Sequence, residues 1–275
     1  MTTTQTLTSP TVATRPRRGR RRGLQGVWEP LLLTAVILIV WQFAPTVFDI
    51  PPYILPPVTS IAQALFDVSA WPTYIENAAV TLSEALLGLA IGTAAGLVFG
   101  VLLYWSKFLE RMTYPLIVAL QSVPKVAIAP LFVVWLGFGI ESKVLVVVLL
   151  VFFPVLVNTI SGLRSTDPDY LELFAANKAS KASTLRKLLL PAALPSILAG
   201  FEVAVTVSLL GAIVGEFVGA QKGMGVLLLQ AQYQLNTAAV FALVVILAVI
   251  GIIMNLLVRL LRRKLLFWLP AERGW

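Results

Sequence analysis

The stretch DPDYLELFAANKASKASTLRKLLLP, residues 167–191, is a polar segment with a helical pattern inside a chain that is otherwise apolar. Asp167 is placed to cap a helix that begins at Pro168, and Asp169 and Glu172 suit its first turns because carboxylates favour the N-terminal end of the helix dipole. Apolar residues recur at three- and four-residue steps and predict one apolar helix face: Leu171, Phe174, Ala175, Ala179, Ala182, Leu185 and Leu189.

The middle of the same stretch predicts a break. Ser180 and Ser183 favour two short helices, with Ser183 capping the second, because serine side chains bond to nearby backbone. The later half is basic, with Lys181, Arg186 and Lys187. Two interpretations stay open from the pattern alone: a helix that lies on the inner leaflet, or a helix that docks in a groove of a soluble partner.

The remainder of the chain is typical of an all-α, multi-span membrane protein. Of its 275 residues, 58% are hydrophobic and 12% are charged, and the mean hydropathy is +0.89. Each apolar run is near the roughly 20 residues needed to cross a bilayer. Six spans are predicted, at about 27–48, 79–105, 112–136 (broken by Pro115, Pro124 and Pro130), 144–163, 194–218 and 238–260.

The chain divides into three predicted regions. Residues 1–26 are rich in Thr, Pro and Arg and predict a disordered, basic cytoplasmic tail that touches anionic lipid. Residues 27–265 form the transmembrane domain, with a cytoplasmic loop at 164–191, and residues 266–275 form a cytoplasmic C-terminal tail. The net charge of +8 is carried by loops and tails, so it indicates topology in a cell membrane and not binding to nucleic acid.

The distribution of basic residues predicts that both termini are cytoplasmic. Segments on the predicted inner side hold 18 Lys and Arg residues, whereas the outer loops hold two, Lys143 and Lys222. Lys125 lies within the third span. This asymmetry is the positive-inside pattern of membrane proteins, and it places residues 167–191 in the cytoplasm.

The composition argues against an enzyme and against a metal or cofactor site. The chain has no Cys and no His, which removes the usual thiolate and imidazole ligands and the commonest general base. No acidic cluster has the spacing of metal ligands, so a membrane-embedded enzyme is disfavoured.

Two kinds of residue stand out inside the spans. Gly88, Gly92, Gly96 and Gly100 lie on one helix stripe, which predicts close packing within the chain or a surface that slides against a neighbouring helix or subunit. Ionisable residues within a bilayer are costly and therefore functional candidates. The candidates for the lining of a translocation pathway are Lys125, Glu202, Glu216 and Glu84.

Residues 167–191 resemble the cytoplasmic EAA loop of permease subunits in bacterial ATP-binding-cassette (ABC) importers. That motif reads EAA, three residues, Gly, nine residues, Ile, one residue, Leu-Pro. Glu172, Leu190 and Pro191 match, Leu188 is conservative, and Phe174 and Lys178 depart from an Ala and a turn-forming Gly. The resemblance implies an ATPase-coupling loop formed by Asp169, Glu172, Phe174, Ala175, Lys178, Ala179, Ser180, Leu188, Leu190 and Pro191.

The resemblance covers about residues 30–270. SVPKVAIAPLFVVWLGFG, FFPVLVNTISGLRS and GAIVGEFVGAQKGMG are similar to the branch with nitrate, sulfonate, taurine, thiamine-precursor and riboflavin permeases. It implies a type I importer fold and a complex of two permeases (a homodimer), two ATPases and an extracytoplasmic solute-binding protein. The chain has no GxxxxGKS or GxxxxGKT phosphate-binding loop, so ATP hydrolysis would belong to another subunit.

A competing class is an ion-coupled secondary transporter or channel that uses the intramembrane Glu and Lys residues as a relay. That class predicts inverted internal repeats, and the two halves of the sequence show none. It also leaves the cytoplasmic helix at 167–191 without a function.

Overall fold

The structure, a computed structural model, describes residues 25–268. Residues 1–24 of the predicted disordered tail, with its Arg block, and residues 269–275 therefore lie outside the described residues, whereas Gln25 and Gly26 belong to the first helix. The helices, in chain order, are α1 Gln25–Val47, α2 Val58–Phe66, α3 Trp71–Trp105, α4 Lys107–Ser122, a 3-10 turn Lys125–Ile128, α5 Ala129–Leu136, α6 Ile140–Arg164, α7 Pro168–Ala176, α8 Lys181–Thr184, a π turn Leu185–Leu189, α9 Leu190–Gly219, α10 Met224–Tyr233 and α11 Thr237–Leu265.

Five helical stretches in the described region are long and apolar enough to cross a membrane, and a bent pair supplies the sixth predicted span. The five are Trp28–Val47, Trp71–Trp105, Ile140–Arg164, Lys181–Gly219 and Thr237–Leu265. The second begins at Trp71 and not near residue 79 as predicted. Its first turns, WPTYIEN, are helical but too polar to be recognised as membrane-spanning. Hydropathy alone therefore placed the start of the span too late.

The third span is broken at one proline. The pair Lys107–Ser122 and Lys125–Leu136 is bent by 87°. The break lies at Pro124, which has extended backbone (ψ 91°). Pro115 lies inside α4 and Pro130 lies in the first turn of α5, where a missing N–H is tolerated. Only one of the three prolines expected to break this span does so.

Helix α6 is the centre of the fold, because α3 packs on one side of it and α9 on another. The glycine stripe of α3 faces α6 with matching spacing: Gly88 meets Val147, Gly92 meets Val151, Gly96 meets Val155 and Gly100 meets Thr159. A side chain at any of the four positions would collide with α6. The stripe therefore brings two backbones of the same chain together, and this face has no room for a helix of another subunit.

Helix α9 approaches α6 in the same manner. Gly200 lies against Pro154 and Asn158, Gly211 against Val147, and Gly215 against Lys143. The buried side chains between the three helices include Ala85, Val151, Val155, Ala204 and Ala212. Helices α3, α6 and α9 thus form one closely packed body.

The remaining helices surround this body. The side chains of α1 are mostly exposed, and Trp41 joins α1 to its neighbours, with Nε1 donating to Pro56 O at 3.1 Å and its ring stacked edge-on against Phe241. Helix α10 was not predicted. It follows Gly223 and packs against α11 and the start of α3 through Met224 and Ala231.

Candidate functional site

The predicted cytoplasmic loop begins at the residue that the sequence indicates. The side chain of Asp167 accepts a hydrogen bond from Asp169 N at 3.0 Å, and Pro168 is the first residue of α7. The carboxylate of Asp169 lies in the first turn, where it favours the helix dipole. This cap fixes where α7 begins.

The break in the loop is present, but its cap is not the predicted one. Helix α7 ends at Ala176, and α8 begins at Lys181. Ser180 is the N-cap of α8, since its Oγ accepts from Ser183 N at 3.2 Å, so the prediction that Ser183 is the cap was wrong. Ser180, three positions earlier, is the cap because an N-cap side chain accepts a hydrogen bond from the backbone N–H of the third residue of its helix, here Ser183.

The turn between the two helices uses Lys178. Its φ is +51°, in the left-handed region that the family glycine would occupy with less strain. Lys178 N donates to Ala175 O at 2.9 Å and Ala179 N donates to Phe174 O at 3.0 Å. These are the two bonds of a Schellman motif, so the turn is built with a lysine in place of the glycine.

The loop is held to the spans by its apolar face. Leu171 and Leu185 pack against the buried cluster of Leu163, Leu189 and Ala193. The other residues of the predicted coupling loop divide by exposure: Phe174, Ala179, Leu188 and Leu190 are half-buried, and Asp169, Glu172, Ala175, Lys178, Ser180 and Pro191 are exposed. Ala175 and Ala182, expected on the apolar face, are exposed. The loop thus has an inner face on the core and an outer face open to a partner.

The outer face of α7 carries two large apolar side chains. Tyr170 is 56% exposed and Leu173 is 55% exposed. They are three residues apart and so lie on one side of the helix. We call Tyr170, Leu173 and Lys178 the coupling face.

A π turn connects the loop to the fifth span. Residues Leu185–Leu189 take the wider turn, and Leu190 N donates to Leu185 O. Pro191 follows directly and has no N–H for the helix ladder, and such local widening accommodates it. As a result α8 and α9 form one continuous helical stretch, Lys181–Gly219.

A buried polar cluster lies at the other end of α3, α6 and α9, on the external side in the predicted orientation. Glu216 accepts from Thr81 Oγ1 and from Gly225 N, each at 2.5 Å. Thr81 Oγ1 also accepts from Met224 N at 2.8 Å. The side chains of Thr81 and Glu216 are buried, so these bonds are shielded from water.

The cluster holds the loop between α9 and α10 against α3. Gly223 N donates to Asn77 Oδ1 at 2.6 Å. Gly223 has φ +129°, and a side chain there would collide with the carboxylate of Glu216. The sequence GMG at 223–225 therefore lets backbone amides reach the polar groups of α3 and α9. We call this arrangement the external clamp.

Lys143 is part of the same region. The sequence placed it in an outer loop, but it lies in the first turn of α6 and is 2% exposed. Its Nζ donates to the carbonyls of Phe138 (2.7 Å), Gly139 (3.0 Å) and Gly219. It thus ties the end of α9 to the start of α6, so of the two lysines predicted in outer loops only Lys222 lies in a loop.

Glu84 lies beside this cluster and beneath a cavity of about 460 Å³ between residues 138–140 and 220–222. Its side chain is 3% exposed, and its Oε2 has no hydrogen-bond partner among the described residues. At the mouth of the cavity Lys222 donates to Glu76 at 2.6 Å, and this bond raises the pKa of Lys222. Glu84 and Glu216 are both buried, and Glu84 lines this cavity. The assignment of either residue to a translocation pathway stays a prediction.

Glu202 pairs with an arginine in the described region. Both of its oxygens accept from Arg262, at 3.3 and 3.4 Å, which joins α9 to the last turns of α11. Glu202 and Glu216 are about 21 Å apart along α9, at 1.5 Å per residue. Glu202 thus lies near the middle of α9, whereas Glu84 and Glu216 lie together toward the other end of the α3–α6–α9 body, so the structure does not bring the three acidic candidates together.

Lys125 is the candidate that lies at the bend of the third span. It follows the 87° break, is half-buried, and its Nζ lies 4.9 Å from the ring centroid of Phe153. Its Nζ also donates weakly to Gln121 O at 3.4 Å. Irregular backbone at membrane depth is tolerated where protein covers it or where it lines a cavity.

Sequence reasoning missed Lys143, Thr81, Asn77 and helix α10. The signal available for Thr81 and Asn77 was their position one turn apart from each other and from Glu84 on one helix face. Lys143 was missed because a lysine next to a predicted loop is normally a solvated topology signal.

Closely packed apolar helices of membrane-spanning length, with a helical loop at one end, define a polytopic membrane protein. The sequence profile of the family described as "Binding-protein-dependent transport system inner membrane component" matches residues 88–267. The chain belongs to this family, and it is a multi-pass inner membrane protein.

The chain is similar to named permeases over nearly all of its length. It is 37% identical over 240 residues to the formylaminopyrimidine transport permease protein of Halalkalibacterium halodurans, covering 87% of this chain and 95% of that one. It is 32% identical over 264 residues to the riboflavin transport system permease protein of Chloroflexus aurantiacus, covering 96% and 98%.

The fold matches a solved importer. The MetNI methionine ABC transporter, in its inward-facing conformations, aligns with a TM-score of 0.65 and 20% identity over 73% of this chain and 99% of that chain. At this identity the match shows the fold alone, which is that of type I ABC importer permeases.

Proposed function

We propose that this chain is the membrane-spanning subunit of an ATP-driven importer and that α7 docks on a separate ATPase. The observation that carries the proposal is the coupling face, where Tyr170 and Leu173 are exposed on a helix that the charge distribution places in the cytoplasm. A helix with one face on its own core and an apolar outer face is suited to a groove on a soluble partner.

The packing provides a route for transmitting motion. Leu171 and Leu185 contact the cluster around Leu163 and Leu189, so the loop is attached to the cytoplasmic ends of α6 and α9. The π turn makes α8 continuous with α9. A displacement of α7 by a closing pair of ATPases would therefore move the α3–α6–α9 body as a unit, which is rigid-body alternating access.

The pathway would lie between this chain and a second copy. No residue of α4 is buried, and Leu116, Val134 and Trp135 on α4 and α5 are strongly exposed. Lys125 lies at the bend between these helices. In the proposed complex two permease copies meet along α4 and α5, with two ATPases on the cytoplasmic side and a solute-binding protein on the external side.

The solute would be a small molecule of the classes that this branch carries. The named relatives support a vitamin precursor such as a pyrimidine, or riboflavin. Sulfonates and nitrate are the anionic alternatives, which a pathway lined by the cation of Lys125 would accommodate. Uptake of each labelled compound by cells that express the complete operon would distinguish them.

Reversing the charge of a residue on α7 tests the docking. Glu172→Lys is expected to reduce the amount of ATPase that co-purifies with the permease, or to leave ATP hydrolysis uncoupled from transport, because Glu172 is exposed next to the coupling face. Glu141→Lys is the matched control, since Glu141 is also exposed but lies at the external end of α6. Full transport by Glu172→Lys with the ATPase still bound would refute the role of Glu172.

A further inference from the structure

The turn after α7 places a lysine in a strained backbone conformation. Lys178 has φ +51° at the position of a Schellman motif where glycine is preferred. A residue with a β-carbon pays a steric penalty there that glycine does not. The turn itself is complete without the lysine side chain, because both of its hydrogen bonds are between backbone groups.

The side chain of Lys178 makes no polar contact with the described residues that would offset this strain. Lys178 is exposed, and its ammonium group has neither a hydrogen bond nor an ion pair with any residue between 25 and 268. A strained residue persists when something else compensates for it, and such residues concentrate at ligand clamps and switch regions. The two backbone hydrogen bonds hold the turn, as they do at Leu235, and the ammonium group of Lys178 is left available to a partner outside the described residues.

The surroundings of Lys178 resemble the edge of a protein interface. The exposed side chains of Tyr170 and Leu173 lie on α7, and Lys178 follows at its C-terminal end. Interfaces commonly combine an apolar centre with a charged rim. The coupling face has this arrangement, with a single cation at its edge.

The charge of α7 favours a protein over a lipid surface as the neighbour. Asp167, Asp169 and Glu172 lie at or within this helix, and the segment Pro168–Ala176 contains no basic residue. An anionic leaflet would repel these three carboxylates. A groove with an apolar floor and a carboxylate at its rim would accept Tyr170, Leu173 and Lys178 together.

We propose that Lys178 forms an ion pair with an Asp or Glu side chain of the ATPase subunit and thereby determines which ATPase this permease accepts. The proposal rests on the proposed docking of α7 on an ATPase. In this proposal Lys178 serves recognition of the ATPase, although a glycine at the same position would make the turn more stable.

The strain and the charge can be separated by substitution. Lys178→Gly removes both, Lys178→Asn removes the charge but tolerates the left-handed backbone, and Lys178→Arg keeps both. Leu235→Gly is the matched control. Leu235 has φ +56° in an equivalent turn after α10, with Leu235 N donating to Gln232 O and Asn236 N to Ala231 O, but it carries no charge.

Two quantities would be measured on the full-length chain in nanodiscs: the midpoint of thermal unfolding and the affinity for the purified cognate ATPase. Lys178→Gly and Leu235→Gly are each expected to raise the midpoint by about 2 °C, because each relieves a strained position. Lys178→Gly and Lys178→Asn are expected to weaken ATPase binding about fivefold, with a reduced dependence on salt. Lys178→Arg and Leu235→Gly should bind as the wild type does.

The proposal is overturned if Lys178→Gly binds the ATPase as tightly as the wild type while Glu172→Lys does not, and docking through α7 would then still stand. If neither substitution weakens binding, docking through α7 fails as well. Repeating the measurement in nanodiscs of neutral lipid tests the other partner. An effect of Lys178 that disappears without anionic lipid would assign its charge to a headgroup and refute the ATPase contact.

Discussion

Thr81 and Glu216, 135 positions apart in the sequence, share a buried hydrogen bond of 2.5 Å that joins α3 to the end of α9. The same threonine hydroxyl accepts from Met224 N, and the same carboxylate accepts from Gly225 N. The side chains of Thr81 and Glu216 thus accept hydrogen bonds from two backbone N–H groups where the chain turns from α9 into α10. The external clamp is therefore expected to be a structural requirement for the external end of the permease.

Replacing Thr81 with valine tests the clamp. Thr81→Val keeps the shape of the side chain but leaves Met224 N and one oxygen of Glu216 without a partner. The expected loss is about 1–3 kcal/mol of unfolding free energy, measured in micelles with a chemical denaturant. Ser83→Ala is the control, because Ser83 is exposed and bonds only to Val80 O of its own helix. Equal stability of the two variants would contradict a role for the clamp.

A Gly→Ala substitution is expected to have opposite effects on stability at two positions, Gly96 in the glycine stripe and Gly251 in α11. A Cβ at Gly96 would lie 2.9 Å from the backbone oxygen of Phe152, which has no freedom to move aside. Gly96→Ala is therefore expected to cost about 1–3 kcal/mol through overpacking. Gly251→Ala in α11 meets nothing closer than Leu209 Cδ2 at 3.6 Å, and it should stabilise by up to about 1 kcal/mol through helix propensity.

Denaturant unfolding of the two glycine variants in the same detergent checks this pair. A stabilised Gly96→Ala variant would mean that α3 and α6 are not in close contact at this point. Loss of stability in Gly251→Ala would instead show that α11 packs against another helix, for example one of a second copy.

The number of spans and the helical loop at 164–191 were predictable because both depend on local composition. An apolar run of about 20 residues and a clear excess of Lys and Arg on one side are signals that a single sequence carries. The cap at Asp167 was predictable for the same reason, since its bond reaches only to Asp169.

The contacts of the buried charges were not predictable, because they join residues that are distant in sequence. Glu202 pairs with Arg262, and Lys143 bonds to the carbonyl of Gly219. A hydropathy profile scores each charged residue by itself and carries no information about its partner. Their partners become visible only when α6, α9 and α11 are brought together.

The pairing of Glu202 with Arg262 predicts how Glu202→Gln will behave. The side chains are 28% and 34% exposed, so the ion pair is partly shielded from water. Glu202→Gln is expected to lower stability by about 1–2 kcal/mol while the uptake per folded molecule stays unchanged. The exchanged pair Glu202→Arg with Arg262→Glu should regain part of the lost stability, in part only because Arg262 has a further contact.

Uptake and unfolding measured on the same preparations separate a structural role of Glu202 from a role in the pathway. If Glu202→Gln abolished uptake without a change in stability, then Glu202 would act on the solute and not on Arg262. The exchanged variant would in that case remain inactive at normal stability.

Lys125 is expected to change its accessibility during transport, because it lies at the bend between α4 and α5 on the face proposed to line the pathway. The chain contains no cysteine, so Lys125→Cys introduces a unique thiol. A membrane-impermeant maleimide added from outside should label this thiol at a rate that differs between the ATP-bound and nucleotide-free complex. Alternating access requires such a difference for a residue in the pathway.

Two further single cysteines make the labelling of Lys125→Cys interpretable. Ser208→Cys lies in the core, where Ser208 has no exposed surface, and it should stay unlabelled in both states. Val134→Cys replaces a side chain that is 79% exposed on α5. Protection of Val134→Cys by a second copy together with state-dependent labelling of Lys125→Cys would place the dimer contact and the pathway on adjacent parts of the α4–α5 face. Labelling of Lys125→Cys at one rate in both states would remove Lys125 from the pathway, because a residue lining it must alternate in access with the nucleotide state.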